Sequence, residues 1–140
     1  MKVKEIMHNA AKIPSDTSIS EAAAIMDKKS IGSVLIEEAD KVIGIMTERD
    51  ILRKIVAKGK DPDETKVKDI MSYPLVTIDA EEDIVKASEI FDKKHIRRLV
   101  VTESGKIVGK VTANSIARNI RYLSVRDLTS GRKDYTRPEY

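Results

Sequence analysis

The 140-residue sequence has no cysteine, no tryptophan and one phenylalanine. Without cysteine there can be no disulfide, no thiolate nucleophile and no cysteine-held zinc. That suits a reducing cytoplasm, which is the expected location. Aromatic residues make up only 4% of the chain, too few for the basic, aromatic-studded face of a dedicated nucleic-acid binder. No apolar run approaches the roughly 20 residues of a membrane helix. The opening MKVKEIMHNAAKIP lacks the apolar core of a secretory leader, so neither membrane nor export is expected. Histidine is scarce as well. His8 and His95 have no second histidine or carboxylate at metal-ligand spacing, so no metal site is expected. No Ser–His–Asp set and no working carboxylate pair can be assembled, and the expected protein is not an enzyme.

What is present is the composition of a soluble globular domain, 41% hydrophobic and 35% charged. The net charge of +3 is unevenly placed: from Arg121 onward five basic residues face three acidic ones, which leaves the preceding body nearly neutral.

The dominant feature is a duplication. KVKEIM at 2–7 returns as KVKDIM at 66–71, and ISEAAAIMDKKSI at 19–31 returns as IVKASEIFDKKHI at 84–96. KVIGIMTERDILR at 41–53 returns as KIVGKVTANSIAR at 106–118, in step with the preceding pair. The polar AKGKDPDET at 57–65 joins the copies. The expected organisation is one repeat over 1–60, a second over 61–122 and a basic tail over 123–140. Each copy reads as strand, helix, strand, strand, helix, an α/β (α+β) unit. Ile19, Ala22, Ala23 and Met26 have amphipathic spacing, matched by Ile84, Ala87, Ser88 and Phe91. SVLIEE and KVIGIM flank a turn at Ala39–Asp40, and RLVVTE and KIVGKV flank one at Ser104–Gly105. The closing helix of the first copy is predicted to bury Ile51, Leu52, Ile55 and Val56. One copy alone buries too little surface for comfortable stability, so the two are expected to pack sheet against sheet as one pseudo-two-fold body.

The order, the duplication and the corner Gly44-Ile-Met-Thr47-Glu-Arg-Asp50 resemble a tandem of CBS domains, named from cystathionine β-synthase and called a Bateman module when paired. The resemblance covers residues 1–120. It implies a regulatory module that binds an adenosine-containing molecule (AMP, ADP, ATP or S-adenosylmethionine) in clefts between the copies and signals to a partner protein. No further cofactor is implied. A homodimer is the implied assembly. With no room for a catalytic domain, the chain resembles the stand-alone members.

A strand that ends in threonine and turns at once into a helix leaves backbone N–H groups at the helix start, which attract phosphate. Asp50 brings a carboxylate to the same corner, and a carboxylate accepts two hydrogen bonds as well as the ribose diol donates them. Thr47-Glu-Arg-Asp50 also has the form of a helix cap with an acid at its third position, which needs no ligand. Spacing alone leaves both readings open. The resemblance implies that Thr47 and Asp50 touch ligand, that Ile45 lines an adenine slot, and that Arg49 belongs to the same set. In the second copy Ser115 replaces Asp50, so the bidentate grip on ribose is lost. Thr112 and Asn114 remain as phosphate contacts. Arg97 and Arg98 stand where related modules place cations, while the first copy has Gly32 and Ser33. By the family's geometry Thr77, Ile78, Ile96 and Arg97 wall the Asp50 cleft. Two further readings compete. One is a nucleic-acid-associated protein that uses Arg118, Arg121, Arg126 and the tail; the other is a structural dimer with degenerate clefts.

Overall fold

The KVKxIM stretches close only single 3-10 turns, Val3–Glu5 and Val67–Asp69, and their further amides reach loop carbonyls: Val3 and Lys4 donate to Glu82 O and Ala80 O, and Val67 and Lys68 to Thr17 O and Ser15 O. A computed structural model of the chain describes residues 1–120. It contains two compact units, one of Asn9–Val76 and one of Met1–His8 with the chain from Thr77 onward. The tail and its arginines lie outside the described residues.

In the Asn9–Val76 unit the elements are β1 (Lys12–Pro14), α1 (Ile19–Lys29), β2 (Ser33–Glu38), β3 (Lys41–Thr47) and α2 (Glu48–Ile51). The sheet order is β1-β2-β3, with β1 parallel and β3 antiparallel to β2. α1 starts where the Glu21 N–H donates to Ser18 Oγ at 3.1 Å. It ends with Lys28, Lys29 and a left-handed Ser30, cations complementing the helix dipole. The hairpin turns through Ala39 and Asp40, both at positive φ, as the right-handed twist of paired strands favours. Val34, Ile36 and Met46 face inward and join Ile13, Ile19, Ala22, Met26 and Ile55 in the core. Each fully buried aliphatic side chain contributes roughly 1.5–3 kcal/mol.

The second unit repeats the plan. It has β4 (Thr77–Asp79), α3 (Ile84–Lys94), β5 (Arg98–Glu103), β6 (Lys106–Thr112) and a helix α4 over 113–120. Its sheet order is β4-β5-β6 with the same directions. Leu99, Val101 and Val111 are fully buried.

Two findings could not be read from the linear pattern. The KVKxIM stretch before each repeat packs with the other repeat's sheet. The second one lies in the Asn9–Val76 unit, where Ser72 N–H donates to Ile45 O at 2.8 Å and Ile45 N–H to Ser72 O at 3.1 Å. The first lies along β6, where His8 N–H donates to Lys110 O at 2.8 Å and Lys110 N–H to His8 O at 2.9 Å. Glycine permits this close approach. A Cβ on Gly44 would sit 2.9 Å from Ser72 O, and one on Gly109 would sit 2.6 Å from His8 O.

The predicted apolar face of the first closing helix needs correction. Ile55 is buried and Ile51 half-buried, but Leu52 and Val56 are exposed at 60% and 67%. After Ile51 the backbone continues as a π-helical turn, Leu52–Val56. Positions 52 and 56 lie one residue round the helix from 51 and 55, beside the buried stripe rather than in it.

Candidate functional site

The corner after β3 is built around Asp50. Thr47 N–H donates to Asp50 Oδ2 at 2.8 Å and the Thr47 hydroxyl donates to the same oxygen at 3.1 Å. Asp50 N–H donates back to Thr47 Oγ1 at 3.2 Å. This is a reciprocal capping box, so the capping role foreseen for these residues is present. Oδ1 points to Lys54 Nζ at 3.3 Å, with the Asp50 side chain only 15% exposed. Lys54 also donates to Ile70 O at 2.8 Å.

The amides expected to be free at the helix start are partly spent: Glu48 N–H donates to Gly32 O at 3.0 Å, and Asp50 N–H is held by the cap. That moves the weight of a ligand argument from the amides to the carboxylate. An ionised carboxylate offers about four acceptor positions, and three are used here. The Lys54 contact is the displaceable one, because it is long and its side chain is 44% exposed. With Lys54 moved aside, both acceptor positions of Oδ1 are open to a vicinal diol, while Oδ2 stays held by Thr47.

Ile45 and Thr47 alternate away from the core face of β3, and their register partners are Leu35 and Ser33. The outward face beside the Asp50 corner is therefore apolar and hydroxylic, without formal charge. Arg49 is exposed on the first turn of α2.

The remaining sequence-predicted residues all belong to the other unit. Ser115 is buried, not open to solvent: its hydroxyl lies 2.8 Å from Thr112 Oγ1 and 2.8 Å from His8 Nε2, and its N–H donates to Thr112 Oγ1 at 3.1 Å. His8 is thus a hydrogen-bonded partner of this corner. Asn114 and Arg97 are exposed, Ile96 is half-buried, and Ile78 is a core residue paired with Val101. Ala113 N–H donates to Arg97 O at 2.9 Å, as Glu48 does to Gly32 in the first corner. Thr77 pairs with Val100 and Arg98 with Thr112, so Thr77, Arg98, Val100 and Thr112 share the outward face of the second sheet.

Lys110 lies on that face too, as the register partner of Val100, and the sequence reading passed it over. It is only 7% exposed. Burial, and next the nearby Arg98 guanidinium, hold its ammonium below the ordinary lysine range. The signal was available in the duplication, since a lysine stands at the place of Ile45 in an otherwise apolar strand. Among the described residues no group of three His, Asp or Glu side chains is arranged to hold a metal ion, and no helix is long and apolar enough to cross a membrane.

Comparisons with known proteins agree with this architecture. A family model described as the CBS domain matches residues 3–57 and 67–122. The protein MK0525 of Methanopyrus kandleri is 42% identical over 112 residues, which cover 79% of this chain and 57% of that protein. This chain therefore spans less than two thirds of the Methanopyrus protein. The CBS domain-containing protein YhcV of Bacillus subtilis is 30% identical over 118 residues, 84% of each chain. Among solved structures, the CBS-domain containing protein ATU1752 of Agrobacterium tumefaciens has a TM-score of 0.77 at 25% identity, over 86% of this chain and 99% of that one.

Proposed function

The chain belongs to the CBS-domain family as a tandem pair, and from that premise we propose that it is a regulatory module whose Asp50 corner binds an adenosine-containing ligand. CBS pairs are in general regulatory, ligand-binding modules. The observation that carries the finer reading is the state of the Asp50 carboxylate. One oxygen is anchored by Thr47 and the other is held only by the displaceable Lys54, beside the uncharged face of Ile45 and Leu35. A ribose diol donates into that carboxylate, the nucleobase lies on the apolar side chains, and Thr47 turns its hydroxyl to a phosphate or sulfonium-bearing chain. Ligands of this class are AMP, ADP, ATP and S-adenosylmethionine.

The module turns nothing over. It acts by binding ligand more tightly in one of its conformations than in another, because only differential affinity can move an equilibrium. The moved equilibrium is read by a regulated partner protein, and the module works as a homodimer in the cytoplasm.

The test is a thermal-shift panel of adenosine compounds with guanosine controls, on wild type and Asp50→Ser, with calorimetry on the hits. A ligand at 100 times its dissociation constant adds about 2.7 kcal/mol, which for a chain of this size raises Tm by roughly 5–10 °C. An adenosine compound should shift wild type and leave Asp50→Ser unmoved. Equal shifts in both proteins would remove Asp50 from the site.

A further inference from the structure

The two corners differ by a pair of residues. Asp50 and Lys54 of the first repeat correspond to Ser115 and Asn119 of the second. A carboxylate and the ammonium four residues after it are thus replaced together by two uncharged groups. The later member of each pair also bonds differently. Lys54 Nζ lies 3.3 Å from Asp50 Oδ1 and donates to Ile70 O at 2.8 Å. Asn119 Nδ2 stays within its own helix and donates to Ser115 O at 2.6 Å. The backbone that carries Lys54 widens to a π turn over Leu52–Val56, whereas its counterpart is α-helical over 113–120. Isolated π turns are frequent at functional positions.

A half-exposed lysine ordinarily gains little from an ion pair, because fixing a long side chain in one geometry costs rotamer freedom. Lys54 is held at two points. The Ile70 carbonyl, directly after the 3-10 turn Val67–Asp69, fixes the ammonium beside Oδ1. The amide and hydroxyl of Thr47 meanwhile occupy Oδ2. Oδ1 is left for a diol, and Oδ1 is the oxygen that Lys54 faces. An ammonium is a donor with no acceptor, so it meets that oxygen as the hydroxyls of a ribose would. Ammonium and diol therefore compete for the same lone pairs.

We propose that Lys54 is an internal competitor for the Asp50 site, a latch that occupies Oδ1 until a vicinal diol displaces it. The proposal rests on the reading of Asp50 as a diol acceptor and adds the regulation of that site. The latch sets the affinity below what the carboxylate alone would give. It also makes the affinity depend on ionic strength, because salt screens a solvent-accessible ion pair. In the second repeat there is no carboxylate to guard, and asparagine stands in the place of the latch.

Calorimetric titration of the full chain with adenosine tests it, since adenosine has the diol and the base but no charge of its own. The proteins are wild type, Lys54→Met and Asp50→Ser, each at low and high salt. Methionine keeps most of the aliphatic stem and loses the ammonium. Should Lys54→Met fail to fold, Lys54→Gln replaces it and keeps a neutral donor for Ile70 O. Lys54→Met should bind adenosine about two- to fivefold more tightly than wild type, the range set by an exposed ion pair that no longer competes. Raising the salt should tighten binding by wild type and close the gap, while the affinity of Lys54→Met stays level. A lysine that merely supported its helix would weaken binding when replaced, and would create no salt response confined to wild type. Equal or weaker binding by Lys54→Met, or one salt response shared by both proteins, would overturn the latch; if Asp50→Ser still loses adenosine, the Asp50 reading stands without it. Adenosine binding that survives in Asp50→Ser, or no binding by wild type and the Lys54 variant alike, would overturn both.

Discussion

Replacing Asp50 by alanine should destabilise the protein before any ligand is added, and the amount can be worked from the corner itself. The change removes the acceptor for the Thr47 N–H and hydroxyl and breaks the contact with Lys54. Loss of a cap of this kind costs about 1 kcal/mol. The Lys54 pair, four residues along one helix and nearly half exposed, adds about 0.3–0.5 kcal/mol. The sum is about 1.5 kcal/mol, or a fall in Tm of roughly 5 °C for a chain of this size. Asp50→Ser should cost less, because the second repeat shows what serine does at this corner: its hydroxyl lies 2.8 Å from the threonine hydroxyl and its N–H still reaches Thr112 Oγ1. Serine keeps the side-chain bond and loses the Lys54 pair, at an expected cost under about 1 kcal/mol. Urea unfolding of the ligand-free proteins, with slopes compared to confirm a common transition, measures both. The reasoning is refuted if Asp50→Ala unfolds like wild type, or if serine costs as much as alanine. The pair of substitutions has a second use. Alanine disturbs cap and ligand together, whereas serine spares most of the cap and removes the carboxylate.

Two further outcomes are expected. Gly109→Ala should destabilise by about 1–3 kcal/mol, the usual cost of forcing an extra methyl into close packing, because its Cβ would lie 2.6 Å from the His8 carbonyl oxygen. A change in the urea midpoint, together with a moved His8 ring resonance in NMR spectra, would show that the segment before the first repeat has been pushed from β6; an unchanged midpoint would count against that packing. Glu81 gives a pH dependence. Hydrogen bonds from Lys2 and then Lys4 hold its carboxyl down to about 2, below the ordinary 4.5. A depressed folded-state value means that the unfolded chain binds the proton more readily, so the stabilisation is present above about 4.5 and is lost as pH falls toward 2. Glu81→Gln should flatten that acid limb in urea titrations across the window. The group is exposed to solvent, so added salt should shrink the difference.

Much of this molecule was legible in the chain because it is written twice. Helix starts at Ser18 and at the threonine corners, the hairpin turns at Ala39–Asp40 and Ser104–Gly105, and the inward alternation of Val34, Ile36 and Met46 are local features, set by backbone sterics and by period. Aligning the two copies was enough to place them in both repeats. The loss of Asp50 in the second corner was equally readable.

What the tertiary structure decided is where non-local partners come from. The sequence places KVKEIM before the first repeat, yet only the packed chain puts Val3 and His8 with the second sheet, through backbone bonds to Lys110 and a close approach at Gly109. Leu52 and Val56 match the apolar spacing as well as Ile51 and Ile55 do; the difference of a single residue round a helix that widens to a π turn exposes them. Lys110 is an ordinary lysine by composition. It becomes a buried cation beside Arg98 only because strand register sets both on one face. Periodicity and capping depend on neighbours within a few residues, so the sequence by itself determined the elements and their order. Burial and strand pairing bring together residues far apart in the chain, as with His8 and Ser115, so only the folded chain determined the chemistry of the two corners.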